Sequence, residues 1–322
     1  MNRFILVEPG GDISRLMMSD LEHSEEVEIL YQPYNIKSDF LRKIRDKHLG
    51  YKLNKSRVAP FQRFWRRFYT LSQYEFNKDD DYYIIFGNAV LSMIDDGFIR
   101  KLNSKPNVNL ILYFSDPVDS DFARLAKVRA NRNEFKYIFT FDPDDAKKYG
   151  YTLMRSIYSA SDVEPDESRK SDISFIGENK GRQHMLEEIY DACEKNGVNC
   201  NFRMTRVEEA EQNKTGIIYN ERVSYLQTIA EAKATNCLLE ILQEGQSGVS
   251  FRYYEAVCYN KKLLTNNPDI VNLPYYDDRY MRYYEAVEDI DWNWVKSTDK
   301  VDYNYQGDFS PVRFIQLIKS ML

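Results

Sequence analysis

The stretch Gly245–Asn267, GQSGVSFRYYEAVCYNKKLLTNN, decides the reading of this chain. It runs as a Gly/Ser loop, a helix and then a short apolar strand. Small residues and backbone N–H groups at a helix start suit a phosphate, and Ser247, Gly248 and Ser250 stand there. Arg252 falls in the first turn and adds a charged fork for the same anion. Glu255 lies three residues on, on the same helical face, and can accept hydrogen bonds from sugar hydroxyls. Lys261 and Lys262 close the helix, and Leu263, Leu264 and Thr265 read as a buried parallel strand. Such a unit can hold a diphosphate and a sugar hydroxyl together. An ordinary loop–helix–strand of an α/β domain has the same spacing.

The run Ser250, Arg252, Tyr254, Glu255, Ala256, then Lys261 to Thr265, resembles the donor-site segment of bacterial glycosyltransferases with the GT-B fold. The likeness is to the CgeB-like and capsule or lipopolysaccharide biosynthesis transferases. It extends from Asp172 to Asp269 and is weaker in the N-terminal half. The resemblance implies an α/β chain with two Rossmann-like domains facing a cleft. It also implies a nucleotide-sugar donor and a glycan or lipid-linked glycan acceptor. Many retaining members carry two Glu separated by seven residues; Glu255 matches the second, and Ser247 stands at the first. Inversion and retention therefore both stay open.

Outward from that segment, Ser159 to Ser171 is polar, contains Pro165 and lacks apolar periodicity. It reads as a linker. This predicts an acceptor-side domain over 1–160 and a nucleotide-sugar domain over 161–322. A chain of 322 residues suits two domains. The second domain starts with an apolar strand ending at Gly177, then Glu178-Asn179-Lys180-Gly181-Arg182 and an amphipathic helix that stops before Gly197. By the resemblance, Gly177 and Arg182 lie close to the diphosphate, and Tyr225 lies near the base; Tyr225 also fits a core position.

The chain opens with an apolar strand, Phe4 to Val7, then Glu8-Pro9-Gly10-Gly11-Asp12. Strand, glycine turn and helix is how open α/β sheets begin. The GxGxxG fingerprint is absent, which argues against a nicotinamide dehydrogenase. Strands are predicted at Val27 to Tyr31, Tyr82 to Phe86, Val108 to Phe114 and Tyr137 to Phe141, with Asp144 or Asp145 capping the helix that follows. Carboxyl ends of such strands are where ligands sit. The resemblance places the first loop, with Gly10 and Gly11, toward the cleft. Glu8, Asp12 and Asp116 are, in that order, candidates for the base that activates an acceptor hydroxyl. No convincing Asp-x-Asp pair closes a strand, so charge on the departing diphosphate falls to Arg, Ser and a helix start. No metal and no cofactor are expected.

Four cysteines form no CxxC pair, and three histidines are scattered. A zinc site is not expected, and a reduced cytoplasmic setting is. No apolar run reaches the roughly 18 residues that cross a bilayer, and the first residues do not read as a signal peptide. Between Arg42 and Arg67 ten Lys or Arg face one acid, a net +9; with a formal charge of −6, the remainder carries −15. Phe61, Phe64 and Trp65 interleave with Arg63, Arg66 and Arg67. This segment suits a solvated helix with a buried aromatic stripe, or an anionic surface at the inner face of the plasma membrane. Nucleic acid ranks behind both. Two other classes stay open: a UDP-sugar 2-epimerase of the same fold, and a non-catalytic glycan- or nucleotide-binding protein.

Overall fold

A computed structural model describes residues 1–50, 61–121, 123–154, 157–242 and 249–322. The chain forms two compact units, one of Met1–Ser159 with Phe309–Leu322, the other of Ala160–Asp308. The last helix, Pro311–Ser320, groups with the first unit.

The first unit is built on six parallel strands: β1 (Asn2–Val7), β2 (Val27–Leu30), β3 (Asp81–Gly87), β4 (Val108–Phe114), β5 (Tyr137–Thr140) and β6 (Thr152–Leu153), in the order β2-β1-β3-β4-β5-β6. Side chains of β1 alternate between two cores. Ile5 and Val7 join a cluster with Phe86, Leu112, Phe98 and Trp65 on one face. Phe4 and Leu6 join Phe139, Phe314, Ile315 and Ile318 on the other. The final helix thus covers one face of this sheet. Its start follows sequence chemistry: Ser310 is the N-cap, accepting from the Val312 N–H, and Pro311 fills the first turn.

The second unit has six parallel strands as well: β7 (Ser171–Glu178), β8 (Cys200–Thr205), β9 (Ile217–Tyr219), β10 (Thr235–Glu240), β11 (Lys262–Thr265) and β12 (Met281–Tyr283). Their order is β12-β11-β10-β7-β8-β9. The Gln183–Lys195 helix buries Leu186, Ile189, Tyr190 and Cys193, and Gly197 closes it with φ +60°. This is the α/β class expected from the sequence.

Several local readings change. Asp142, not Asp144 or Asp145, caps the helix Pro143–Tyr149, because its carboxylate accepts from the Asp144 and Asp145 N–H groups. Asp145 is instead spent on the Val118 N–H. The Tyr225–Ala234 helix buries Thr228 to Ala232, while Leu226 is exposed. The Tyr-rich region around Tyr275 to Tyr305 contains β12 and the short helix Trp292–Lys296. Among the described residues no helix is long and apolar enough to cross a membrane.

Candidate functional site

In the second unit the chain lays β8 and β9 on one side of β7, then β10, β11 and β12 on the other. The order reverses between β7 and β10. Crossover loops diverge at such a point and leave a crevice at the strands' carboxyl ends. A cavity of about 130 Å³ lies there, bordered by Phe175, Arg182, Glu240, Ser250, Phe251 and Arg252.

Arg182 follows the β7 loop, and its guanidinium donates to the carbonyls of Glu178, Asn179 and Ile241. It therefore bridges the ends of both strands. Its cation also lies over the Phe175 ring, 5.3 Å from the centroid. Gly177 makes room for this: a Cβ there would stand 3.1 Å from the Arg182 guanidinium and 3.2 Å from the Phe175 ring. Arg252 donates to the Ile176 carbonyl at 2.8 Å and pairs with Glu255. Burial, and next the Arg252 charge, lower the pKa of Arg182. Two cations held this way by backbone carbonyls repel each other, and an anion between them relieves that repulsion.

Glu255 is 0% exposed, and its two oxygens accept from the Tyr225 hydroxyl (2.9 Å) and from Arg252. It anchors Arg252 and does not present an oxygen to a sugar. Tyr225, on another helix, is thereby tied to the same carboxylate. Ser250 also departs from expectation. Its N–H and hydroxyl both go to Glu240 Oε1, at 2.9 and 2.6 Å. Glu240 is 1% exposed, and a buried carboxylate takes whatever donors stand near it. Its other oxygen accepts from Thr265 Oγ1 at 2.6 Å. Glu240 thus locks the helix Phe251–Cys258 to β10 and β11. It was not singled out from sequence, although a carboxylate closing the apolar run Cys237-Leu238-Leu239 was the available signal. Ser247 and Gly248 lie outside the described residues.

In the first unit the order reverses between β1 and β3. Glu8 ends β1 there. Ser14 Oγ donates to Glu8 Oε2 at 2.8 Å, and burial pushes the Glu8 carboxyl up from 4.5 to about 7. Gly10 and Gly11 take φ of +86° and +97°, and a Cβ on Gly10 would stand 2.6 Å from the Tyr31 carbonyl oxygen. These glycines let the chain turn beside the carboxyl and enter the helix Asp12–Met17. Asp12 opens that helix and is exposed. Asp116, two residues past β4, accepts from the buried Asn88 at 2.8 Å. Asn88 also accepts from the Ser115 N–H, so it fixes the β4 loop. Ser14 and Asn88 are partners that sequence reading missed.

Of the three candidate basic residues, Arg66 is committed elsewhere. It forks onto Asp95, which also caps the helix Asp96–Asn103 and accepts from Tyr69. Arg67 lies over the Phe64 ring at 4.5 Å, and Arg63 is exposed. Among the described residues no group of three or more His, Cys, Asp or Glu could hold a metal ion.

No protein-family model matches the chain, and no curated protein matches it in sequence. Solved structures do resemble it over its length. The glycotransferase of kitacinnamycin is 9% identical, with TM-score 0.50, covering 100% of this chain and 99% of that one. The UDP-GlcNAc 2-epimerase of Methanocaldococcus jannaschii, solved with UDP-GlcNAc and UDP, is 12% identical with TM-score 0.51, covering 99% and 100%. The UDP-N-acetylglucosamine 2-epimerase from Rickettsia bellii is 9% identical with TM-score 0.52, covering 99% and 96%. At these identities the likeness shows the fold: two parallel-sheet α/β units of the GT-B class.

Proposed function

We propose that this protein is a glycosyltransferase that moves a sugar from a nucleotide-sugar donor to a glycan or lipid-linked glycan in bacterial surface polysaccharide synthesis. The observation that carries this reading is the pair Arg182 and Arg252, fixed beside the cavity at the β7/β10 switch point. Preorganised cations of this kind stabilise charge that develops on a departing diphosphate. Their hydrogen bonds to strand-end carbonyls hold them in place before the donor arrives, so little reorganisation is needed.

Glu8 serves as the base in this reading. A carboxyl with a pKa of about 7 is poised to take a proton from an acceptor hydroxyl near neutral pH. Ser14 orients it. Asp12 and Asp116 rank behind it, since Asp12 is exposed and Asp116 is already held by Asn88. The reaction runs without a metal, and a lipid-linked acceptor would bring the protein to the inner face of the plasma membrane.

A second reading is an enzyme that epimerises the donor sugar. It draws support from the two epimerases that share the fold and from the UDP-GlcNAc held by one of them. The first test is a thermal-shift screen against UDP-, GDP-, CMP- and dTDP-sugars, with and without EDTA. A ligand at 100 times its Kd adds about 2.7 kcal/mol of stability. A shift with one nucleotide class that EDTA leaves unchanged supports the site. No shift with any class sinks it. Incubating the stabilising donor alone then separates the readings: an epimerised nucleotide sugar favours the second, and a sugar transferred only when a glycan is added favours the first.

A further inference from the structure

The helix Asp39–Leu49 has no fully buried residue: Leu41 and Leu49 lean on the first unit's core, while Phe40 and Ile44 point away from it. Phe40 is 72% exposed, and Ile44, one turn on, is exposed as well. The neighbouring helical segment Gln62–Phe68 begins at Phe61, 77% exposed, and carries Phe64, 47% exposed. These are not scattered. Ile44, Phe61 and Phe64 border one open cavity of about 580 Å³, and the Trp65 indole N–H donates to His48 Nδ1 at 2.9 Å, tying the two elements together. A contiguous exposed apolar patch of this sort marks a contact surface.

The net charge around the patch is positive. Lys43, Lys47, Arg63 and Arg67 are exposed on the same two elements, and the nearby acids Asp39 and Asp46 are taken up by Arg42 and Arg45. The patch thus combines an apolar centre with a cationic rim, in a chain whose formal charge is −6. We propose that the surface formed by the Asp39–Leu49 helix and the Phe61–Phe68 segment docks on an anionic lipid bilayer. Phe40, Ile44, Phe61 and Phe64 enter the interface between headgroups and chains, and the Lys and Arg side chains reach the lipid phosphates. A nucleic acid would satisfy the cations but leave Ile44 in water, and a neutral bilayer would leave the cations without partners. The inference stands apart from the donor site and does not depend on the transferase reading.

The test is flotation of the purified full chain with vesicles of phosphatidylcholine alone and of an equal mixture of phosphatidylglycerol and phosphatidylcholine. Binding to the mixed vesicles, weakened at least tenfold by high salt, is the expected result. The quadruple change Phe40→Ser, Ile44→Ser, Phe61→Ser and Phe64→Ser should abolish it. Lys43→Glu with Lys47→Glu and Arg63→Glu should weaken it tenfold or more. All seven side chains are exposed, so both variants should keep the wild-type melting temperature, which is checked alongside. Wild-type protein that stays free of both vesicles overturns the proposal, as does equal binding to both compositions or binding that survives either variant. Self-association that the quadruple variant abolishes would make the patch a homotypic interface and overturn it. So would tighter binding to a single-stranded oligonucleotide than to the mixed vesicles.

Discussion

At the scale of residues, the arginines and the carboxylates behind them can be separated by experiment. Arg252→Ala should weaken donor binding or turnover by about 2–4 kcal/mol, the range for a charge-assisted contact in a closed site. It should also destabilise the fold by about 3–5 kcal/mol, because the buried Glu255 charge would lose its cation and keep only the Tyr225 hydroxyl. Adding Glu255→Gln removes that charge. The double variant should regain stability without regaining donor affinity, as read by melting and by titration calorimetry. Donor affinity recovered by the double variant would make Arg252 a purely structural residue. Glu8 carries a second prediction. Its carboxyl keeps a proton in the folded chain between pH 4.5 and about 7, where the unfolded chain has lost it. The native state then binds more protons, so stability falls as pH rises through this window, by up to about 3 kcal/mol. Glu8→Gln should flatten that fall in a urea melt series. If Glu8 is the base, the logarithm of kcat/KM should climb with unit slope to about pH 7 and then level. Glu8→Gln should lose about 10²- to 10⁴-fold in rate.

At the scale of elements, each turn beside a strand end is held by a small set of contacts. Gly10 combines a left-handed φ with a carbonyl 2.6 Å from where a Cβ would sit. Gly10→Ala should cost about 1–3 kcal/mol and move the loop that carries Glu8. A melting temperature equal to wild type would show that the loop relaxes without strain. Glu240 performs the corresponding task in the second unit. Glu240→Ala leaves donors of Ser250 and Thr265 without partners, at about 1–3 kcal/mol. Donor affinity should fall with stability here, because the start of the Phe251–Cys258 helix and Arg252 move together. The glycine pair was legible in sequence as a turn beside a strand. Glu240 was not, because its role depends on Ser250 and Thr265 approaching from two other elements.

At the scale of the whole molecule, the chain's last helix belongs to its first unit. Phe314, Ile315 and Ile318 bury against Phe4 and Phe139. Each such side chain contributes roughly 1.5–3 kcal/mol when buried. Removing residues 309–322 should therefore destabilise the first unit by several kcal/mol and leave the second near its native stability. Limited proteolysis during a urea series would resolve the two, and equal loss in both units would contradict the assignment.

Apolar runs such as Val108 to Phe114 marked the central strands and the α/β class, because burial of a parallel strand demands continuous hydrophobic sequence, while the short strands β6, β9 and β12 went unread. The basic aromatic segment was equally legible as composition. Tertiary structure alone decided which charges are available. It spends Arg66 on Asp95, Glu255 on Arg252 and Tyr225, and Ser250 on Glu240, while leaving Phe40, Ile44, Phe61 and Phe64 toward water. Hydrogen-bond partners come from elements distant in sequence. A one-dimensional pattern records that a charged residue is present, and only the packed chain settles what satisfies it.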